Sequence, residues 1–535
     1  MLSDVILAQI PADQHERAAR LEQAIAVNPV YENEKLQALT SWDAPGWAGL
    51  RVVVLGYGES GRACADVLSQ LGAHITVLDG SLSEEKLEDI AMLNETNPGS
   101  VSGLSGQAAV SVPLVDGAEP DVVVVSPGIA PFKSWLLDCY ERQIQVWGDI
   151  ELAWRLNERA SRPAPAWLCL TGTNGKTTTV GMVDSILKAA GKKSVQVGNV
   201  GNAAVYEVAN PEIDYDFFAV ELSSYQLHWT YSLAPLASVV LNVAPDHLNW
   251  HGSFEAYCAD KARIYRNTEV ACIFNLAHED VLHMVEEADV QEGARAIAIT
   301  TSQMPQISML GFAEELMVDR AFLKNRYNEA IFLAEATDLS PIPGKWPAKH
   351  TAENALAAAA LTRAAGIDPE AVRAGLIAFK VAPHRNEIVA HQDEILWVND
   401  SKATNPHAAN ASLSAYPSVV WIAGGQSKGV SYDELVSTHA PRLKQVVVIG
   451  TDTSGLRASL SKFAPHVPVH MMTGTVEDSR DGQAVMVAAV QQAARVAQAG
   501  DTVLLAPASA SQDQFRAYTE RGDAFAREVR RLLGA

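Results

Sequence analysis

Trp167-Leu168-Cys169-Leu170-Thr171-Gly172-Thr173-Asn174-Gly175-Lys176-Thr177-Thr178 is an apolar run that breaks into a glycine turn and then into a lysine and two threonines. The run Trp167–Leu170 suits a buried strand, and the turn after it suits the mouth of a helix. Backbone amides of such a turn converge on one spot, and the helix N-terminus adds partial positive charge there, so the loop is built for a phosphate chain. Gly172, Thr173, Asn174, Gly175 and Thr178 would form the cradle, Lys176 would neutralise the β- and γ-phosphates, and the Thr177 hydroxyl is placed to ligate Mg²⁺. The usual phosphate-loop pattern opens on a glycine where this chain has Leu170. A chance glycine turn is the bland alternative, and the strand context argues against it.

Downstream, Val220-Glu221-Leu222-Ser223-Ser224 puts a carboxylate at the end of an apolar strand, where it would bind Mg²⁺ opposite Thr177. Asn242-Val243-Ala244-Pro245-Asp246-His247-Leu248-Asn249-Trp250-His251 and Asp260-Lys261 follow, gathering imidazoles, acids and a lysine. A lone histidine in such a stretch is more often a turn residue than a ligand. Upstream, Arg51-Val52-Val53-Val54-Leu55 runs into Gly56-Tyr57-Gly58-Glu59-Ser60-Gly61, and Asp79 ends the next strand, His74–Leu78. That is a dinucleotide fingerprint, equally open to NAD, to another diphosphate ligand, or to a structural turn. Val122–Val125 then leads into Ser126-Pro127-Gly128.

A third α/β stretch carries strands at Trp397-Val398, Val419–Ile422, Val446–Ile449 and Val503–Leu505. Three polar loops follow its strands: Asn399-Asp400-Ser401-Lys402-Ala403-Thr404-Asn405, Gly424-Gly425-Gln426-Ser427-Lys428-Gly429, and Ala506–Phe515. Taken singly, each is an ordinary turn. Proline-rich breaks at Trp42–Trp47, Ser161–Pro165 and Ala382-Pro383 divide the chain into an extension at 1–47 and domains at 48–160, 161–380 and 381–535. The expected fold is α/β with three domains: Rossmann-like, central P-loop ATPase-type, and Rossmann-like again.

The 535 residues are 48% hydrophobic and 19% charged, as in soluble globular chains, with a formal net charge of −22. Such a charge disfavours nucleic acid as a partner, while local amides and lysines still suffice for a nucleotide. Five scattered cysteines, Cys64, Cys139, Cys169, Cys258 and Cys272, lack metal-ligand spacing and fit reduced thiols in the cytoplasm. No signal peptide and no membrane span are expected.

In this order, Gly-Thr-Asn-Gly-Lys-Thr-Thr, Glu-Leu-Ser-Ser, Asp246-His247, Lys261, His384-Arg385 and Asp400-Ser401-Lys402-Ala403-Thr404-Asn405 resemble the Mur ligases, the ATP-dependent amino-acid ligases of bacterial cell-wall synthesis. The resemblance runs from about residue 50 to the end. The glycine loop, Ser126–Ile129, Gly148-Asp149-Ile150-Glu151-Leu152 and Ser511-Gln512-Asp513-Gln514-Phe515 look like the D-glutamate-adding branch.

The resemblance implies that D-glutamate is joined to UDP-N-acetylmuramoyl-L-alanine through an acyl phosphate made from ATP, by a monomer in the cytoplasm. Gly56, Gly58, Ser60, Gly61, Asp79, Ser126, Pro127 and Gly128 would then hold the UDP-sugar. Asn199 would lie beside the reacting substrate, and Lys176, Thr177 and Glu221 would serve ATP and Mg²⁺. His247 and Lys261 would serve a second Mg²⁺, with Lys261 carbamylated by CO₂. Asn275 and Asn354 would border adenine, Arg385 would reach the phosphates, and Asp400 the ribose. Lys402, Thr404, Lys428, Ser511 and Tyr518 would surround D-glutamate. Departures from the family pattern are the lack of a basic residue in Asp79-Gly80-Ser81, Thr351 in place of asparagine, Asn249 and Ser427 in place of acids, and Tyr518 in place of phenylalanine. The alternatives are a sister amino-acid ligase of the Mur or folylpolyglutamate type, an NAD-dependent dehydrogenase, and a nucleotide-binding regulator.

Overall fold

Runs such as Val52-Val53-Val54 and Val122–Val125 are apolar at every position, the pattern of parallel strands covered on both faces. In the computed structural model, which describes residues 2–106, 111–340, 346–381, 383–427, 430–476 and 478–534, they form the centre of a five-stranded parallel sheet. Its order is Ser100–Ser105, His74–Asp79, Arg51–Leu55, Val122–Val125, Gln145–Trp147. Here the glycine loop and Ser126 leave adjacent strands at their carboxyl ends, where open α/β sheets bind ligands.

The strand Ala166–Thr171 lies inside a nine-stranded sheet, between Ala237–Val240 and Phe217–Glu221. Period-two alternation divides its side chains: Leu168 and Leu170 face the helix Lys176–Ala189 and the alanine-rich helix Lys349–Ala364, while Trp167 and Cys169 face the other way. Met309–Ala313, Leu316–Asp319 and Ile331–Glu335 close one edge, joined by antiparallel pairings that the hydrophobic pattern does not reveal.

A third sheet has six strands in the order Glu387–Gln392, Ile395–Asn399, Thr502–Leu505, Val419–Gly424, Leu443–Ile449, Val469–Met471, antiparallel only at its first pair. Trp421 and Ala423 pack with Leu413, Val436 and Leu456 on one face; Val420 and Ile422 pack with Met486 and Phe525 on the other. The three sheets bear out the α/β architecture.

By compactness the chain divides into two units, Met1–Leu339 with Thr351–Phe379, and Ser340–His350 with Lys380–Ala535. The first holds two sheets because they share a core: Val52, Val54 and Trp147 belong to the same buried cluster as Trp167, Phe218 and Val220. The N-terminal residues are part of this unit. Leu36, Leu39 and Trp47 enter the shared core, and Ile6, Ile10, Ala18 and Ile25 pack with Val53, Leu55 and Val125 on the outer face of the first sheet.

Trp167 tests the shared core. It is buried edge-on against Trp154 and Phe218, with ring centroids 5.4 and 5.7 Å away, and its Nε1 donates to Asn157 Oδ1 at 3.0 Å. Trp167→Ala should lower unfolding stability by about 3–5 kcal/mol in denaturant titrations. A loss under about 1 kcal/mol would mean that this contact does not join the sheets.

Candidate active site

The turn after Ala166–Thr171 closes as the sequence requires. Gly175 takes a φ of +84° and caps the helix Lys176–Ala189; a Cβ there would sit 2.5 Å from Asn354 Oδ1. Glycine therefore serves both the left-handed turn and the close approach of Asn354. Asn242 pins the loop from the neighbouring strand: its Oδ1 accepts from Asn174 N at 2.9 Å, its Nδ2 donates to Asn174 O at 3.1 Å, and its carbonyl accepts from Thr173 N at 3.0 Å. Thr173 Oγ1 lies 2.9 Å from Tyr257 Oη, and Thr178 is half-buried in the first helical turn.

Lys176 folds back over the loop, its Nζ donating to Gly172 O at 2.7 Å and Thr173 O at 3.0 Å. Thr177 Oγ1 donates to Glu221 Oε2 at 2.8 Å, so the hydroxyl and carboxylate expected to share a metal do meet. Glu221 is buried at the end of Phe217–Glu221, and its other oxygen accepts from Asn199 Nδ2 at 2.8 Å. A hydroxyl beside a carboxylate is the oxygen donor set Mg²⁺ prefers, with phosphate and water completing its shell. No cluster of three or more His, Cys, Asp or Glu side chains suited to a metal occurs among the described residues.

Lys261 arrives from the helix Phe254–Ala262. It is 1% exposed, and its Nζ donates to Thr171 Oγ1 at 3.2 Å and Gly172 O at 3.0 Å, on the same loop as Lys176. Burial, reinforced by the Lys176 ammonium, pushes its amine well below the ordinary lysine range. A neutral amine keeps the lone pair that carbamylation needs. Tyr257, one helical turn earlier, lies with its ring 4.8 Å from this Nζ. The helical i,i+4 spacing from Lys261 was the signal that could have singled Tyr257 out, and the Asn-Val-Ala-Pro motif could have singled out Asn242.

His247 has a φ of +53° and precedes the short helix Leu248–His251; its ring lies 4.9 Å from Tyr225, and burial lowers its pKa. Asn275 ends the strand Ala271–Asn275 and its Oδ1 accepts from Ala277 N at 3.0 Å.

In the first sheet, a Cβ on Gly61 would lie 1.9 Å from Gly56 O, and Gly56 has a φ of +83°, so the turn tolerates no side chain at either position. A Cβ added at Gly58 or Gly128 would meet nothing within 4 Å, and Pro127 lies between Gly128 and Ser126, whose Oγ donates to Gly56 O at 3.0 Å. Asp79 accepts the Tyr57 amide at 2.6 Å and pairs with Lys86 at 3.3 Å. A basic residue thus stands beside Asp79 after all, seven positions on, beyond the local stretch where it was sought. Ser60 Oγ donates to Asp149 Oδ2 at 3.2 Å, and Gln226 Nε2 donates to the same oxygen at 3.1 Å. Gln226 completes a capping box with Ser223, two residues after Glu221. The glycine loop is therefore tied to the Glu221 strand end through Asp149.

The second unit gathers its own residues. Lys402 Nζ sits 4.2 Å from the centre of the Tyr518 ring, and Thr404 N donates to Lys402 O at 2.8 Å. Ser511 is buried and its hydroxyl has no partner. Asp400 is buried and pushed up to about 6; it accepts from Asn386 N at 3.2 Å and from Ser412 Oγ. Arg385 lies close enough to Asp400 to oppose that rise. Arg521, buried, donates to Ser401 Oγ and O and to the carbonyls of Ser509 and Ala510, stitching the loop of Lys402 to that of Ser511. Lys428 lies outside the described residues.

Comparison with known proteins agrees with this geometry. The family described as Mur ligase middle domain matches residues 170–362, and that described as Mur ligase, glutamate ligase domain, matches residues 384–509. A UDP-N-acetylmuramoylalanine--D-glutamate ligase of Streptomyces avermitilis is 49% identical over 486 residues, covering 91% of this chain and 99% of that protein. The protein of the same name from Leifsonia xyli is 45% identical, with 94% and 96% covered. Among solved structures, a pseudomurein peptide ligase type C from Methanothermus fervidus superposes with a TM-score of 0.51 at 16% identity over 90% of this chain and all of that one. MurF ligase from Thermotoga maritima, solved with ADP, gives 0.50 at 15% identity over 94% and 100%. With the phosphate loop, the Thr177–Glu221 pair and both domain matches in one chain, this protein belongs to the Mur ligase family.

Proposed function

We propose that the chain joins D-glutamate to UDP-N-acetylmuramoyl-L-alanine at the expense of ATP in peptidoglycan precursor synthesis. The observation that carries this reading is the convergence of Lys176, Thr177, Glu221 and Lys261 on one glycine turn, in a chain whose relatives at 40–49% identity bear the D-glutamate ligase name. A carboxylate is a poor acyl donor, so phosphorylating it first creates a good leaving group for attack by an amine.

Lys176 and the loop amides would hold the phosphates, and Thr177 with Glu221 would hold Mg²⁺. His247 and a carbamylated Lys261 would hold a second ion. Held by these residues, the ions would supply positive charge to offset that building on the phosphoryl group. Asn199 orients Glu221 and borders the acceptor carboxylate, while Asn275 and Asn354 border adenine. The turn of Gly56, Gly58, Ser60 and Gly61 takes the UDP diphosphate on its amides, with Asp79, Ser126, Pro127 and Gly128 around it. Arg385 and Asp400 are the proposed nucleotide residues of the last domain. Lys402, Thr404, Lys428, Ser511 and Tyr518 receive D-glutamate, with the lysines meeting its carboxylates.

The domain limits we propose remain 48–160, 161–380 and 381–535. No described helix is long and apolar enough to cross a membrane.

Phosphate release tests the reading directly. Purified protein with Mg²⁺ and ATP should release phosphate only when both UDP-N-acetylmuramoyl-L-alanine and D-glutamate are present. Equal release with another amino acid would point to a sister ligase, and none with any would remove the proposal.

A further inference from the structure

The N-terminal segment has no part in the chemistry above, yet its contacts fall on the stretch that carries two of the proposed metal-binding residues. The helix Asp4–Leu7 packs on the helix Leu248–His251, directly after His247. Ile6 is 4% exposed, and a Cβ on Gly252 would lie 2.4 Å from Ile6 Cδ1; Gly252 also has a φ of +87°. The glycine is thus required by its left-handed turn and by the isoleucine seated on it. Gln9 Nε2 donates to Asn249 O at 2.7 Å, adding a hydrogen bond to the same turn. Trp250 belongs to one buried cluster with Ile6, Ile10 and Ile25.

A second grip lies at the other end of the stretch. The helix Glu22–Val27 stops at Asn28, which is left-handed with a φ of +47°. Its last carbonyls lack partners within the helix, and Arg263 supplies them: Nη2 donates to Ala26 O at 3.3 Å and to Val27 O at 3.1 Å. The same guanidinium pairs through Nε with Asp260 Oδ1 at 3.0 Å. Asp260, next to Lys261, also takes His228 Nδ1 at 3.0 Å and His251 Nδ1 at 2.9 Å, and His251 Nε2 lies 2.9 Å from Ser224 Oγ. From Arg263 inward every residue of this chain is buried, and it ends three residues after Glu221.

We propose that residues 2–28 form a clamp that grips the stretch 247–263 at both ends and so positions His247 and Lys261 for the reaction. The segment touches neither side chain in any contact above; it fixes Asn249 to Gly252 on one side and Arg263 with Asp260 on the other. Ile6, Gln9 and Arg263 are positioning residues. The inference rests on the proposed function only for the role of His247 and Lys261, not for the grip itself.

Full-length Ile6→Asp, Gln9→Ala and Val5→Ala separate the possibilities, with Val5 47% exposed as the control. Ile6→Asp places a charge where an apolar side chain seats the turn. We expect kcat to fall about tenfold, because small misplacements of catalytic groups are costly, with KM for D-glutamate unchanged. Amide exchange at residues 248–252 should quicken about tenfold while the strand Ala166–Thr171 stays protected. Gln9→Ala, at an exposed side chain, should show the same pattern at about two- to threefold, and it decides the matter if Ile6→Asp fails to fold.

Wild-type kcat and exchange in both variants would overturn the proposal. So would faster exchange spread evenly over the central sheet with KM and kcat both impaired, which is general destabilisation. Should the wild-type protein consume no ATP with both substrates, the functional reading fails, and exchange at 248–252 still decides whether the grip exists.

Discussion

Lys176→Ala should lower ATP-dependent turnover by about a hundred- to a thousandfold, the loss that follows removal of one preorganised charge from the centre of phosphoryl transfer. Its ammonium lies across the glycine turn, donating to Gly172 O and Thr173 O, where it is held ready for phosphate oxygens to replace the carbonyls. The fold should survive, because the side chain is half-buried and the turn is pinned independently by Asn242. Steady-state phosphate release, together with near-wild-type circular dichroism, checks this. A decrease smaller than about tenfold would move the phosphates away from this loop.

The second large effect concerns Lys261. Its amine is buried among Thr171 Oγ1, Gly172 O and the Tyr257 ring, and burial with the Lys176 charge pushes its pKa well below the ordinary lysine range. A buried lysine with so displaced a pKa in a closed polar niche is an uncommon thing to maintain for packing alone. On the carbamate proposal, Lys261→Ala should reduce kcat by about a hundredfold with little change in ATP affinity, since the proposed anionic metal ligand would be lost while the phosphate loop is kept. Millimolar acetate or formate should restore part of the rate, and Lys261→Arg should not respond, because a guanidinium stays charged. Full activity of Lys261→Ala would remove the carbamate from the account.

Much of the site could be read from the chain. Thr177 and Glu221 were paired on the strength of a strand end and a helix start, and they lie 2.8 Å apart. Parallel strands buried on both faces announce themselves as unbroken apolar runs, as Val122–Val125 does. What stayed hidden depends on distant partners. The hairpin between Met309–Ala313 and Leu316–Asp319 turns on Glu314 and Glu315, with Glu314 at a φ of +54°, in place of the glycine or asparagine that marks such turns. The N-terminal helices are four to six residues long, too short for a 3.6-residue period to show which face they bury. Lys86 beside Asp79 and Arg521 between two loops are likewise joined only by folding.

The thiols give the molecule a built-in clock. All five cysteines are free, and four of them, Cys64, Cys139, Cys169 and Cys272, are sealed in the interior. Cys258 alone is partly accessible, one helical turn before Lys261. An alkylating reagent should therefore mark Cys258 first and reach the other four only at the pace of large-scale opening. Two rates from a single mass-spectrometric time course would then report separately on the neighbourhood of Lys261 and on the integrity of the whole chain.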